Sequence, residues 1–322
     1  MAREHQLLPG PETVRWGYLD GSLPPVLEVG SGDIVSLATL SGGDEVVDLS
    51  RISAAHAEVL ASVERELGPH ILTGPIHVRG ARAGDTLEIQ LLEVALDCDW
   101  AWNVIRPLHG TLPDDFPSLT KRFIELDAAR GIARLPWGPE LPLQPFFGII
   151  ATAPPLAWGR VSSVQPRAFG GNVDCKEFTQ GSSVFLPVFV DGANLSLGDG
   201  HALQGNGEVC LTALETCLRG RIRVIVHRQT QQRMPRAVSA SHLIAIGLDE
   251  DLDDAARQAL REMIAWLVQL TGWEASEAYT FCSLACDLQV SQLVNGVKGI
   301  HAMVRRDHLP AALKPHFTLE SG

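Results

Sequence analysis

The sequence predicts a mainly β fold, sandwich-like or barrel-like, that is closed by a C-terminal α+β element. Much of the first two thirds consists of short runs in which polar and apolar residues alternate, broken by Gly, Pro and Asp. This period of two is typical of half-buried strands. Apolar residues recur at helical spacing only after Gly247, so we expect the helices to lie near the C-terminus.

A glycine-rich turn, GARAGD, separates two predicted strands, Ile76–Val78 and Thr86–Leu96. A turn of this kind between two such segments favours a hairpin, so we expect these strands to pair. Apolar residues of the second strand alternate up to Leu91. A bulge near Leu92 is then needed to bring Val94 to the same face.

Four further strands are expected before residue 247, and they are Val14–Tyr18, Asp33–Leu40, Val184–Val190 and Arg221–His227. Pro187 lies in the middle of the third, which predicts an edge strand or a bulged strand. Residues 100–145 are rich in Pro, Gly, Trp and charge. We interpret them as a long excursion with one strand near Arg122–Leu126, of the kind that often shapes a binding site.

The C-terminal element is predicted to start with a helix whose first turn lies in the acidic run DEDLDD and which ends before Gly272. Acidic residues in the first turn and a glycine just past the last turn are typical helix boundaries. A second helix is expected over about Glu274–Cys286, where two cysteines are expected to pack in the core. Strands are expected at Leu288–Val294 and Ile300–Val304.

The chain of 322 residues is longer than the usual domain of about 100–200 residues. We therefore expect two units. Residues 1–165 are predicted to form an N-terminal β-sandwich-like domain. Residues 166–322 are predicted to form a site-bearing β domain that includes the C-terminal helices and strands.

Charge and composition exclude several classes of protein. Lys and Arg number 26 against 38 for Asp and Glu, and a net charge of -12 repels nucleic acid. No apolar run is long enough to span a membrane, and no apolar leader follows Arg3. Six cysteines without a CxxC pair predict reduced thiols. We expect a cytoplasmic protein, and proline-interrupted strands with exposed tryptophans favour a homo-oligomer.

The segment Ala168–Glu215 is rich in glycine, and its polar side chains lie on the glycine-rich turns. Asp199 and His201 are two residues apart, which places both on one side of an extended chain. Asp174, from a separate turn, is a candidate third metal donor. Glu208 is a candidate fourth ligand or the base that takes a proton from water.

A donor set of imidazole and carboxylates suits a divalent metal, with zinc favoured and calcium or manganese also able to accept it. The alternative is purely structural. Asp and Asn in glycine-rich turns commonly bond the local backbone, and an isolated His such as His201 is often a structural residue.

A series of short motifs is spread along the chain in a fixed order. They are HILTGPI (70–76) with GARAGDTL (80–87), GGNVD (170–174), DGA (191–193) with GDGH (198–201), QGNGE (204–208), TALE (212–215) and DLQVSQ (287–292). Together they resemble the motifs of the acetamidase/formamidase family of amide hydrolases. Two positions depart from the family pattern. Asn206 replaces an Asp in the QGNGE motif, which removes a charge, and Ile71 replaces a Pro.

The resemblance implies hydrolysis of the C–N bond of a small amide such as formamide or acetamide, giving ammonia and a carboxylic acid with the help of a divalent metal. By the same resemblance, Glu208, Asp199 and His70 are expected to be catalytic and Asn172 to bind or orient the substrate. Asp174 and His201 are expected to bind the metal. A γ-lactam or a urea-like compound is an alternative substrate, and a non-catalytic module that binds a carbohydrate or small ligand is a second alternative.

Two covalent nucleophiles are also considered. Ser182 lies in a Gly-Ser-Ser run and Cys175 is followed by Lys176 and Glu177. We interpret the first as a turn residue and the second as a buried thiol. Trp100, Trp102, Phe146 and Phe147 are expected either to line a small-molecule pocket or to pack in the core, and His227, His242, His301 and His308 are assigned no role.

Overall fold

A computed structural model describes residues 2–43, 48–310 and 313. Within these ranges the chain forms strands β1 (Glu4–Leu7), β2 (Val14–Trp16), β3 (Tyr18–Asp20), β4 (Leu27–Val29), β5 (Ile34–Ala38), β6 (Ile71–Val78), β7 (Thr86–Leu96), β8 (Trp100–Ile105), β9 (Thr120–Asp127), β10 (Ile132–Arg134), β11 (Glu140–Pro142), β12 (Phe146–Ala151), β13 (Arg160–Ser162), β14 (Gly170–Asn172), β15 (Ser183–Pro187), β16 (Leu195–Leu203), β17 (Leu214–Glu215), β18 (Leu218–His227), β19 (Arg236–Val238), β20 (His242–Asp249), β21 (Cys286–Gln292) and β22 (Lys298–Arg305). The α-helices are α1 (Ala54–Ser62), α2 (Leu252–Thr271) and α3 (Ala275–Ala285). The prediction of a mainly β fold with a C-terminal α+β element is confirmed, but α1 lies in the N-terminal part of the chain, where no helix was predicted.

The strands form two large sheets and one small pair. A nine-stranded sheet has the order β1-β5-β18-β7-β15-β19-β20-β22-β21. An eleven-stranded sheet has the order β11-β10-β9-β8-β17-β16-β12-β14, and β6 joins it beside β16 and carries β2 and β4. Strands β3 and β13 form the small pair.

The main core lies between the two large sheets. Alternate residues of β7 and β18, such as Ile89 and Ile222, pack there against Phe147 of β12 and Leu197 of β16. Each of these side chains is fully buried, and burial of a side chain of this size stabilises a fold by about 1.5–3 kcal/mol.

The helices α2 and α3 cover the outer face of the nine-stranded sheet. In β20, Ile244 faces the main core while Leu243 and Ala245 face α2, as the period of two requires. Gly247 lets the helix approach closely, because a Cβ there would lie 2.0 Å from the carbonyl oxygen of Ala255. The helical element is therefore packed directly on the sheet.

The predicted helix boundaries are confirmed. The carboxylate of Asp251 accepts hydrogen bonds from the backbone N–H groups of Asp253 and Asp254 at the start of α2. Gly272 ends this helix in the left-handed conformation, with φ of 74°. Helix α3 begins and ends within one residue of the predicted range.

The predicted bulge near Leu92 is confirmed. In the pairing of β7 with β18, Leu91 faces Ile222 and Glu93 faces Arg221, so Leu92 is the additional residue. Val94 is consequently buried in the main core.

The predicted hairpin of β6 and β7 is wrong. The turn GARAGD carries the chain from one large sheet to the other, because β6 pairs with β2, β4 and β16 while β7 pairs with β15 and β18. The prediction for Pro187 is also wrong. Strand β15 lies between β7 and β19, and Pro187 is tolerated because it is the last residue of the strand.

The excursion over residues 100–145 contains more regular structure than the one predicted strand. Strands β8 to β11 form a meander at one edge of the eleven-stranded sheet. The short strands β10 and β11 escaped sequence analysis because they have little apolar alternation. Both large sheets take strands from either side of residue 165, and the division into two domains stays a prediction.

Candidate active site

Strand β16 supplies two of the polar side chains that converge at one end of the sandwich. Asp199 and His201 lie two residues apart on it, as the sequence indicated. At its amino end β16 pairs with β6, where the last paired residue is Gly198, and beyond Asp199 it pairs with β17 instead. Asp199 therefore lies at the change of neighbour, and His201 faces Glu215 of β17.

Three of the converging carboxylates lie on left-handed backbone. The φ angles are 49° for Asp174, 56° for Asp199 and 48° for Glu208. This conformation is uncommon for residues other than glycine and clusters at functional sites. The positions of the three side chains are therefore imposed by the fold rather than by local preference.

His201 is the centre of the cluster. Its Nε2 lies 3.3 Å from Oδ2 of Asp199, 3.3 Å from Oε1 of Glu215 and 4.0 Å from Oδ1 of Asp174. Its Nδ1 lies 3.0 Å from Oε1 of Gln204. The amide nitrogen of Gln204 donates to the carbonyl oxygens of Asp174 and Ser291. Its oxygen therefore accepts from Nδ1 of His201, and Nε2 faces the carboxylates.

The neighbouring strand β12 makes room for this cluster with a glycine. A Cβ on Gly148 would lie 2.6 Å from Oδ2 of Asp199 and 2.9 Å from Cε1 of His201. Both distances are too short for any side chain at this position. The glycine carries no functional group, so sequence analysis had no signal for it beyond its place in the apolar run FFGII.

Two asparagines hold the carboxylates in place. In the amide orientation that satisfies both of its ends, Asn172 donates to Oδ1 of Asp174 (3.2 Å) and Oδ2 of Asp199 (2.8 Å) and accepts from Asn295 (3.0 Å). Asn295 also donates to Oδ2 of Asp174 at 2.6 Å. Sequence analysis identified Asn172 but missed Asn295, which comes from a loop more than a hundred residues away.

His70 precedes β6 and approaches Asp199 from the other side. Its Nε2 lies 3.9 Å from Oδ1 of Asp199, and its Nδ1 is hydrogen-bonded to Oγ of Ser163 at 2.8 Å. Burial lowers the pKa of His70, although the Asp199 charge works against that effect.

The electrostatics of the cluster are those of crowded, buried acids. Burial raises the pKa of Asp174 to about 7, with a further contribution from the Asp199 charge. Burial likewise raises the pKa of Glu215 to about 7 and that of Glu208 well above its ordinary value. Burial also acts on Asp199, but its histidine neighbours His70 and His201 outweigh it and lower its pKa. Several like charges of this kind need protons or a cation to be stable together.

The residues present fit a bound divalent cation. Among the described residues, Nε2 of His201 and Oε2 of Glu208 are buried without a hydrogen-bond partner. His201 belongs to two sets of possible metal ligands. The first set is His201 with Asp174 and Glu208, and the second is His201 with Asp199 and Glu215. Within each set the donor atoms lie within 4.8 Å of one another. Imidazole and carboxylate are common ligands of zinc, and carboxylates also suit calcium or manganese.

A cavity of about 330 Å³ opens over the cluster. The polar residues at its floor are His70, Asn172, Asp199, Glu208, Glu215 and Asn295. Asp174 and His201 do not line the cavity and lie beneath that floor. The cluster therefore has a buried half and a half that faces the cavity.

All six residues named from the sequence meet at this site, which the structure enlarges by Glu215, Asn295, Gln204 and Gly148. Glu215 and Gln204 lie within motifs that the sequence analysis quoted, but their contacts depend on the pairing of β16 with β17 and on the turn that follows β16. Of the four aromatic candidates, Trp102 lines the cavity, while Trp100, Phe146 and Phe147 are buried in the interior.

Ser182 and Cys175, the two candidate covalent nucleophiles, both lie outside the cavity and make structural contacts. The hydroxyl of Ser182 donates to the carbonyl oxygen of Thr179 at 2.7 Å, as in a turn. Cys175 is fully buried, and burial with the Glu177 charge raises its thiol pKa well above the ordinary value. Glu177 in turn lies 3.1 Å from His301. Neither residue lines the cavity.

Asn206, the departure in the QGNGE motif, points away from the cavity. Its amide nitrogen lies 2.5 Å from Oε1 of Gln289 on β21, and it is not among the cavity-lining residues. The substitution therefore changes a contact between a turn and a strand rather than the floor of the cavity.

Comparison with known proteins identifies the group to which this chain belongs. The model of the Acetamidase/Formamidase family matches residues 14–160 and 156–305. The chain belongs to the acetamidase/formamidase family. A formamidase of Methylophilus methylotrophus is 30% identical over 196 residues, which are 44% of this chain and 47% of that protein. An acetamidase of Mycolicibacterium smegmatis is 29% identical over 203 residues, which are 45% of this chain and 50% of that protein.

This member of the family is matched over about half the length of these curated relatives. Among solved structures, an acetamidase from Bacillus halodurans is 30% identical, with a TM-score of 0.83 over 98% of this chain and 100% of that one. A γ-lactamase from Delftia acidovorans is 22% identical, with a TM-score of 0.60 over 92% of this chain and 89% of that one, and shares the fold. Among the described residues, no helix is long and apolar enough to cross a membrane.

Proposed function

We propose that this protein hydrolyses the C–N bond of a small amide with a divalent cation, releasing ammonia and a carboxylic acid. The observation that carries the proposal is the buried Nε2 of His201, which faces acidic side chains beneath a cavity and has no hydrogen-bond partner within the described residues. The chain belongs to a family that is named for amide-hydrolysing enzymes, and relatives named formamidase and acetamidase support the same reaction.

The division of the cluster supports a division of roles. His201 and Asp174 lie beneath the cavity floor and would hold the cation, with a floor carboxylate as a further ligand. When bound, the cation supplies Lewis-acid polarisation of the amide carbonyl and makes water easier to deprotonate. Zinc is the metal that we favour for this set of donors, and calcium or manganese would also fit it.

Glu208 is the residue that we assign to proton transfer. It lines the cavity, its Oε2 has no hydrogen-bond partner among the described residues, and burial raises its pKa. A buried carboxyl group whose pKa is raised holds a proton more readily than a free one, so it can accept a proton and pass it on. It would take a proton from water as the oxygen adds to the carbonyl carbon. It would then give a proton to nitrogen as the C–N bond breaks.

Asp199, His70 and Asn172 complete the floor around the reacting group. Asp199 and His70 would together orient the water or the amide, since both line the cavity and their side chains are neighbours at 3.9 Å. Asn172 lines the cavity while its amide holds two carboxylates. It therefore combines the proposed contact with substrate and the orientation of the metal-binding side chains.

The test measures ammonia release from formamide, acetamide and urea, and formation of the ring-opened amino acid from a γ-lactam, before and after chelation and with single metals added back. We expect release that is lost on chelation and restored by one metal, and loss of activity in Glu208→Gln with the metal retained. The matched control is Glu12→Gln at an exposed position. Activity that survives thorough chelation would contradict the metal-assisted reaction. A fully metal-loaded protein that is inert on every amide would favour a binding module.

Further expectations stay predictions. A cytoplasmic location and a homo-oligomeric assembly are proposed from the sequence, as is the lack of a nucleic-acid or membrane partner. Size measurement in solution and cell fractionation test them directly.

A further inference from the structure

The cavity above the cluster has two regions of opposite character. Its floor is polar, as described above. Its walls include the apolar side chains of Leu40, Ile71, Trp102, Val104, Leu211 and Val294. A ligand that places a polar group on the floor therefore brings its remaining atoms against apolar walls.

The apolar wall begins directly beside the floor. Trp102 of β8 is the paired neighbour of Glu215 on β17, and Ile71 follows His70 in the chain. The indole N–H of Trp102 donates to Oγ of Ser41 at 3.1 Å, so the polar edge of the ring is satisfied by the protein. The ring packs partly against Trp100 and Cys217, and the rest of its apolar surface lines the cavity.

The volume of the cavity exceeds the needs of the smallest amides. At roughly 30 Å³ for each water-sized group, acetamide would fill about a third of the available space. The cavity volume of about 330 Å³ lies within the range of pockets that enclose much larger ligands, about 300–1,000 Å³.

We propose that the preferred substrates are primary amides whose acyl group is apolar and larger than acetyl, with that group held between Trp102, Val104 and Val294. This inference rests on the proposed function and specifies its substrate class. Each methylene added to the acyl group would be buried against these walls. It should therefore raise kcat/KM by roughly threefold to tenfold until the cavity is filled.

Polar groups are present in the outer part of the cavity, and they define the competing substrate. Arg65 and His109 are exposed and also line it, and Arg65 donates to the carbonyl oxygen of Gly68. An amide with an anionic far end, such as succinamic acid, would be preferred if these groups bound the substrate.

The experiment measures kcat/KM for formamide, acetamide, butyramide, hexanamide, benzamide and succinamic acid with the metal-loaded enzyme. Binding of acetamide and hexanamide to Glu208→Gln is measured by calorimetry in parallel. We expect kcat/KM to be at least about tenfold higher for hexanamide or benzamide than for acetamide. We also expect tighter binding of hexanamide. A maximum at formamide, acetamide or succinamic acid, or equal binding of acetamide and hexanamide, would overturn the inference. Lack of turnover of every amide would instead overturn the proposed function, while the binding comparison still decides the substrate class.

Substitutions in the apolar wall give a second test, in which the ratio of kcat/KM for two amides is compared and the absolute activity does not matter. Val294→Phe should fill part of the cavity and lower the ratio of kcat/KM for hexanamide to that for formamide by about tenfold. Trp102→Leu should enlarge the cavity and shift the preference to longer acyl groups. Leu284→Phe, at a position 82% exposed on α3, is the matched control and should leave the ratio unchanged. Unchanged ratios in both wall variants would overturn the assignment of the wall.

Discussion

The backbone of Gly148 lies directly against the carboxylate of Asp174: a Cβ on Gly148 would be 2.5 Å from Oδ1 of Asp174. Gly148 lies in β12 and Asp174 lies in the loop that follows β14. This close approach is possible only because Gly148 has no side chain. The packing of β12 therefore decides whether the cluster around His201 can form.

We expect Gly148→Ala to abolish metal binding and amide hydrolysis, because the added methyl group would displace at least one of the carboxylates. Metal content and ammonia release are the measurements. Gly10→Ala is the control, since a Cβ at Gly10 would meet its nearest neighbour at 3.8 Å. A Gly148→Ala protein that binds metal and turns over amide like the wild type would refute this role.

Gln204→Met should weaken metal binding or activity by about 10-fold to 100-fold, as loss of a residue that orients a metal ligand commonly does. The methionine has a similar length but cannot accept from Nδ1 of His201 or donate to the carbonyl oxygens of Asp174 and Ser291. Metal affinity by competitive chelation is the readout. Gln6→Met on the exposed strand β1 is the control, and equal affinities for the two variants would exclude an orienting role for Gln204.

Asn206→Asp should leave kcat/KM within about twofold of the wild type, because Asn206 contacts Gln289 and does not line the cavity. Steady-state kinetics on the best amide test this. A rise of tenfold or more on restoring the family's acidic residue would show that its charge reaches the reacting group.

Chelation should lower the thermal midpoint by at least about 3 °C relative to protein with metal at a hundredfold excess over its Kd. The reason is that the buried carboxylates around His201 lose the charge that compensates them. Scanning calorimetry with metal add-back measures the shift. Asp174→Asn, which removes a proposed ligand, should show a much smaller metal-dependent shift, and an equal shift would place the bound metal elsewhere.

The ion pair of His227 with Glu88 predicts a pH dependence of stability away from the site. The hydrogen bond to Glu88 raises the pKa of His227 above 6.5. The contribution of His227 to the free energy of unfolding is therefore present below pH 6.5 and is lost as the pH rises through the raised pKa. Burial acts to raise the pKa of Glu88, but the hydrogen bonds from His227, Gln90 and Ser183 together outweigh burial and lower that pKa below 4.5. Its contribution is therefore present above pH 4.5 and is lost as the pH falls through the lowered value.

The destabilisation caused by His227→Gln should consequently be larger near pH 5.5 than near pH 9, as measured by urea unfolding at the two values. The His227 side chain is 41% exposed, so the difference should not exceed about 1 kcal/mol. In the Glu88→Gln background the same substitution should show little pH dependence. A larger effect at the higher pH would reverse the sign and contradict the assignment.

Local patterns in the sequence predicted the elements that depend on neighbouring residues. The alternation in β7 indicated the bulge at Leu92, and Gly272 marked the end of α2. The pairing of strands could not be predicted in the same way, because β6 and β7 are adjacent in the chain yet belong to different sheets. Partner choice depends on contacts between residues far apart in sequence.

The same distinction explains the candidate site. Asp199 and His201 were found because two residues of one strand share a face. Glu215 joins them only through the register of β16 with β17, and Asn295 reaches Asp174 from a distant loop. Gly148 acts by having no side chain, and its role is visible only when the surrounding atoms are in place.

The left-handed backbone at Asp174, Asp199 and Glu208 lowers the stability of the fold at positions that the proposed reaction needs. Glycine at any of the three positions would relieve the unfavourable φ, and it would also remove a buried acid from a crowded group of like charges. In the absence of metal, such changes would remove the chemistry while making the protein harder to unfold. A library selected for heat resistance in the presence of a chelator should therefore enrich glycine at these positions, and only simultaneous selection for turnover would keep the acids.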